Sequence, residues 1–145
     1  LMDLELIIQR LKNRVPDLGN RVAGAAEFAV LTATGSAPQI TPAVHVVPAA
    51  IVGGKATAAS GAYVQSIEAY FSAILTLRTQ DPTGKRALGR LSDLINEIIS
   101  ALSGWALGNK VGVVLFRRCT LIKAETGAFS YEISFSIADQ LRIQP

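Results

Sequence analysis

The chain has one cysteine, one histidine, one tryptophan and one methionine in 145 residues, and these scarcities exclude several kinds of chemistry. A lone Cys119 permits no intrachain disulfide and suits synthesis and folding in the cytoplasm. A zinc site draws about four ligands, mainly from Cys and His. Cys119 and His45 cannot supply them, so no metal is expected. Charge is scarce too, at 17% of residues against roughly 25% in an ordinary globular chain. The 14 basic and 11 acidic side chains leave a net charge of +3. The densest basic clusters are Lys85-Arg86 and Arg117-Arg118, with no basic stripe and no interleaved aromatics. The sequence pI near 9.3 therefore does not mark specific nucleic-acid binding. No stretch reaches the roughly 18 to 20 apolar residues of a membrane span. The opening Leu1-Met2-Asp3-Leu4-Glu5 has no basic region ahead of an apolar core, so it does not read as a secretory signal. Met2 reads as the natural start, with Leu1 added in front of it.

Catalytic constellations are equally thin. Nucleophilic catalysis needs a nucleophile, a base within reach and a group that orients the base. His45 lies inside Val44-His45-Val46, where a structural or surface role is the simpler reading. Cys119 sits between Arg118 and Thr120, whose surroundings could lower a thiol pKa; a half-buried strand thiol is the plainer alternative. Asp93 and Glu97 are one helical turn apart, the spacing of a solvated helix face. Gly54-Lys55 and Gly84-Lys85 each resemble the end of a phosphate loop. That motif requires Gly five residues before its Gly-Lys and Ser or Thr after the Lys. Ala49 and Ala56 break the first, Thr79 and Arg86 the second. No cofactor and no enzymatic activity are expected.

Apolar patterning is what the chain has in quantity. Half of its residues are hydrophobic and its mean hydropathy is +0.36. Either alanine inflates that figure, or part of the surface is covered by another chain. Its length suits one domain, residues 1–145, with a real core. Asp3 can cap a helix over 3–15, in which Leu4, Ile7, Ile8, Leu11 and Val15 share a face and which Pro16 and Gly19 end. Residues 22–33 suit a short helix or an irregular segment, and 34–42 a loop. A strand fits 43–49, with Pro48 at an edge, bulge or strand end. Gly53 to Gly61 reads as a flexible hairpin loop. Residues 63–78 alternate, with Ile67, Phe71, Leu75 and Leu77 on one side and Ser66, Glu68, Ser72 and Thr76 on the other. Part of this stretch also fits a helix, but its aromatic and β-branched density favours a strand of about 50 Å. A strand that long must bend, bulge or project as an arm. Asp81-Pro82-Thr83-Gly84 forms a turn, and a second amphipathic helix spans 84–103. Gly104 closes that helix and Trp105 covers its end. A final hairpin pairs 111–124 with 129–137 through Glu125-Thr126-Gly127. Together these predict an α+β fold: a two-layer sandwich of an antiparallel-rich sheet of about four strands, one of them long, packed on two main helices.

Three segments resemble phage tail terminator proteins: Met2 to Lys12 followed by Val15-Pro16; the helix from Arg90 ending in Leu102-Ser103-Gly104-Trp105; and the hairpin from Phe116-Arg117-Arg118-Cys119 through Tyr131-Glu132-Ile133-Ser134-Phe135. The resemblance covers most of the chain by architecture, while Ala23–Pro38 has no clear counterpart. It implies a virion structural protein made in the host cytoplasm. It also implies a homo-oligomeric ring, a hexamer in the common case, at the head-proximal end of the tail. Such a ring caps the tail tube protein, stops tube growth and docks the head-side connector, without cofactor or catalytic residues. Ring contacts are heterologous and need two different matching patches. The candidates are Lys55 in the 53–61 segment, Tyr63 and Arg78 at the ends of strand 63–78, and Arg117 and Arg118. Another neck or tail-completion subunit, or a non-viral small-ligand-binding module, remains an alternative reading.

Overall fold

The computed structural model describes residues 3–35, 38, 40–59, 61–78, 85–108, 112–125 and 127–144. Helix α1 (Leu4–Arg14) begins where the Asp3 carboxylate accepts the Glu5 amide. It buries Ile7, Ile8 and Leu11, the face anticipated from their spacing. A short 3-10 turn, Pro16–Leu18, follows and ends at Gly19 with φ +55. Strand β1 (Val22–Ala23), helix α2 (Ala25–Thr34), strands β2 (Ala43–Ala59) and β3 (Ala62–Arg78), helix α3 (Lys85–Leu102) and strands β4 (Leu115–Glu125) and β5 (Ala128–Ile143) complete the order. The sheet runs β1-β2-β3-β5-β4. Only the two-residue β1 pairs in parallel; the other neighbours are antiparallel.

The α+β fold class is as expected, and several boundaries are not. The strand placed at 43–49 continues to Ala59, so the flexible loop placed at 53–61 is mostly ladder. The small residues there serve close packing. A Cβ on Gly54 would lie 3.2 Å from the Ser66 carbonyl oxygen, and one on Gly53 2.7 Å from Gln65 Nε2. Pro48 sits at a register shift in this ladder, between Pro48 and Ala50, and a second shift falls between Gly53 and Ala56. β3 itself pairs with β5 without a break from Tyr63↔Ile143 to Arg78↔Ala128. The irregularities required by its length are therefore carried by its neighbour. β5 extends past the expected 137 to Ile143 because the far half of β3 needs a partner on that side. The weak segment 22–33 divides into β1 and α2, which adds a fifth strand. The turn expected at 81–84 and Thr126 of the last turn lie outside the described residues.

One face of the sheet carries Val44, Val46, Ala69, Phe71, Ala73, Leu75, Leu77, Ile133, Phe135 and Ile137, all in the core with α1 and α3. Phe71 and Phe135 are opposite each other and their rings stack at 5.3 Å. At the end of α3, Gly104 adopts φ +78 and its amide donates to the Val114 carbonyl. Arg10 lies 4.5 Å over the Trp105 ring and donates from Nε to the Ala101 carbonyl at 2.6 Å. Trp105 thus covers the helix end as anticipated, with Arg10 binding a carbonyl of the last turn. On the other face, His45, Ile74, Thr76 and Ser130 line a cavity of about 250 Å³ beneath Phe28 and Leu31 of α2. α2 thus lies against the face opposite α1 and α3, although none of its residues is buried.

The core makes a direct prediction. Phe135→Ala is expected to cost about 3–5 kcal/mol, and Leu88→Ala, at an exposed position, less than about 0.5 kcal/mol. Urea unfolding monitored by circular dichroism measures both.

Candidate interaction surface

The two residues considered for nucleophilic chemistry lie in different settings. Cys119 is half-buried and packs against the core, and burial pushes its thiol above the ordinary value. The neighbouring Arg118 therefore does not make it a thiolate. His45 is 5% exposed, its ring 5.6 Å from that of Phe28. Its Nδ1 is buried without a hydrogen-bond partner among the described residues. Burial holds its pKa below the ordinary value, opposed by the charge of Glu27. An imidazole kept neutral under an apolar helix is a packing group. Asp93 and Glu97 are both exposed on α3. Among the described residues no group of three His, Cys, Asp or Glu could hold a metal ion.

The surface is more informative. Past Val46 no described residue of β2 is buried; before Ile67 none of β3 is; after Ile137 none of β5 is. These three segments form an arm beyond the helix layer. The projection anticipated for one long strand is thus a three-stranded ribbon. Exposed Ile51, Val52 and Ile143 lie on it. Lys55 falls at the second β2 irregularity and is exposed. Tyr63 lies across from Ala58 on the same arm, and its hydroxyl donates to Gln65 Oε1 at 2.7 Å. Arg78 is at the other end of β3, where its Nε donates to the Pro38 carbonyl and its amide to Thr41 Oγ1.

Arg117 and Arg118 are on β4, the last strand of the sheet. A register shift between Phe116 and Arg118 turns Arg117 toward the polar face, as a bulge re-aims a side chain. Arg117 Nη2 meets Glu68 Oε1 at 2.7 Å, and its Nε donates to Ser136 Oγ at 2.7 Å. The Ser136 hydroxyl in turn donates to Glu68. The Ser136 hydrogen bond, with Arg117 behind it, holds the Glu68 carboxyl below the ordinary value. Arg118 is exposed. The five candidates therefore do not form one patch. Lys55 and Tyr63 share the arm, Arg78 lies at the opposite end, and the arginine pair lies on the edge strand.

Two features escaped sequence reasoning. Beside the Pro48 irregularity is a groove of about 470 Å³ lined by Leu4, Pro48, Ala49, Ala50, Ile51, Ala69 and Tyr70. On β4, Leu115, Phe116, Leu121 and Ile122 are each more than 40% exposed. Pro48 was the available signal for the first. For the second it was the lack of clean alternation in 115–122, since a strand apolar on both faces needs cover on both.

Comparison with protein families decides the class. The family model for the phage tail terminator protein matches residues 1–145, the whole chain. The chain belongs to the phage tail terminator family. It is a phage tail structural protein, in a family of structural proteins rather than enzymes, and tail components are its interaction partners. No curated protein matches it. Within this family the open arm and the apolar edge strand are surfaces available for assembly contacts. No helix among the described residues is long and apolar enough to cross a membrane.

Two outcomes follow for the terminator chain. Because the folded His45 resists protonation, the unfolded chain takes up the proton first. Stability is then full above the ordinary value of 6.5 and declines as pH falls through it. Urea midpoints are expected to drop between about pH 7 and pH 5, and His45→Leu to flatten most of that slope. The Arg117–Glu68 pair is only partly shielded, with Arg117 43% exposed. A double-mutant cycle of Arg117→Ala and Glu68→Gln is expected to give a coupling of at most about 1 kcal/mol.

Proposed function

We propose that this protein closes the head-proximal end of the tail tube as a homo-oligomeric ring, a hexamer in its simplest form. The ring stops addition of tube protein and offers its other side to the head-tail connector. The unit of assembly is the whole chain, residues 1–145, acting as one domain without cofactor. The observation that carries this reading is the family match over all 145 residues. The surface is consistent with it: a sheet with an open arm at one end and an apolar edge strand at one side suits a subunit gripped by neighbours. Lys55, Tyr63, Arg78, Arg117 and Arg118 occupy separate parts of that surface. In a ring with distinct faces toward tube, connector and neighbouring subunits, each part meets a different partner.

Antibody-gold electron microscopy of particles tests the position. Label confined to the head–tail junction is the expected result. Label along the tail or at its distal tip would assign the chain to another tail role.

A further inference from the structure

The sheet face opposite the core holds a cavity of about 250 Å³ under α2, which the assembly reading does not use. Phe28 and Leu31 of the helix and Ile74 of β3 give it apolar walls. Thr32 in the last turn of α2 and Gly35 at its cap also line it, and both are exposed, so the cavity reaches solvent there. An apolar cavity of about 150 Å³ accepts benzene. This larger one has room for a ring with a short substituent.

Three polar side chains of the sheet line the same space. His45 is buried, its ring 5.6 Å from that of Phe28, and its Nδ1 has no hydrogen-bond partner among the described residues. Thr76, also buried, and Ser130 bond each other through their hydroxyls at 3.2 Å. That bond uses one of the two hydroxyl protons and leaves the other to donate. His45 pairs with Ile74 and Ala43 with Thr76, so His45 and Thr76 are diagonal neighbours across β2 and β3. Such neighbours stand roughly 7 Å apart, a gap that one polar atom between the side-chain tips bridges. Lys123 lies at the exposed rim and already has an interaction of its own.

A buried polar atom left unpaired is costly. One water would satisfy it but takes up only about 30 Å³ and offers nothing to the apolar walls. A hydroxyl on an apolar body meets both demands. It donates to or accepts from a neutral imidazole, whichever nitrogen holds the proton, and it accepts the spare proton of Thr76 or Ser130. Burial favours that neutral imidazole, so the site has no buried cation to attract a carboxylate or phosphate. We propose that this cavity binds a small neutral molecule with a one-ring apolar body and a hydroxyl group, the chemistry of an alkylphenol. In the free chain His45 only packs. In the bound chain it recognises the hydroxyl, and the ligand fastens α2, which buries none of its own residues, onto the sheet.

His45 is the chain's one histidine, so its ring signals in an NMR spectrum are an unambiguous reporter. Two probes of similar size, 4-ethylphenol and ethylbenzene, are titrated into the full chain at pH 8. 4-Ethylphenol is expected to shift the His45 ring signals with a dissociation constant below about 1 mM, as nine heavy atoms allow. Ethylbenzene, which leaves the polar groups unmet, is expected to bind about tenfold more weakly. His45→Phe is expected to bring the two affinities within about twofold, read there by calorimetry. Leu31→Trp, which fills the cavity from the helix side, is expected to abolish binding of both probes. Circular dichroism checks that each variant folds. Should His45→Phe fail to fold, the two probes on wild-type protein decide the matter. The inference fails if 4-ethylphenol leaves the His45 signals unmoved, if both probes bind wild-type protein equally, or if folded Leu31→Trp binds as wild type does. None of these results bears on the position of the protein in the particle, which the gold label reads separately.

Discussion

A mismatch of lengths governs this structure. β3 is 17 residues long, or about 55 Å at the rise of an extended strand. α3 has 18 residues and α1 has 11, which span about 27 and 16 Å at the rise of a helix. The helices cannot cover the sheet they pack on. At the covered end a stacked Phe71–Phe135 pair and the leucines of α1 and α3 make a dry core. At the other end the same strands continue without a roof. Because β3 and β5 pair without a break, the uncovered portion is stiffened by the ladder that runs through the core.

An uncovered sheet exposes backbone groups along its edges as well as apolar side chains on its faces, and edges invite unwanted pairing. This chain answers with irregularity. Pro48 and the Gly53–Ala56 shift interrupt β2, and two further shifts interrupt β4. Two of these shifts adjoin local features: the groove beside Pro48 at the first, and the exposed Phe116 with the turn of Arg117 onto Glu68 at the Phe116/Arg118 shift. Features that suppress indiscriminate strand addition thereby shape specific surfaces. For a phage tail structural protein, selective edges suit assembly better than sticky ones.

The chemistry is correspondingly quiet. Glu68, Ser136 and Arg117 satisfy one another across three strands, and Ser72 donates to Glu132 on the same face. These groups tie the edge strand to the centre of the sheet. His45, neutral beneath α2, fills space with a polar ring where the helix above buries none of its own residues.

The sequence by itself determined the elements whose period is strong. Ile7, Ile8 and Leu11 on α1, Leu94, Ile98 and Leu102 on α3, and the alternation of Phe129 to Ile137 each state a helix or strand face, because burial of one face imposes the 3.6- or 2-residue repeat. The α+β class and the length of β3 followed from those repeats, and the family followed from the chain as a whole. What only the tertiary structure decided lies where local signals oppose the outcome. Glycine and alanine at 53–59 read as a loop in isolation. They form a strand because β3 supplies a ladder and because Gly54 must come close to the Ser66 carbonyl. The groove combines Leu4 of α1 with Pro48 of β2 and Tyr70 of β3, residues that no spacing rule joins. The separation of Lys55 and Tyr63 from Arg78 and from the arginine pair is likewise set by strand order and register, which depend on pairings between residues far apart in the chain.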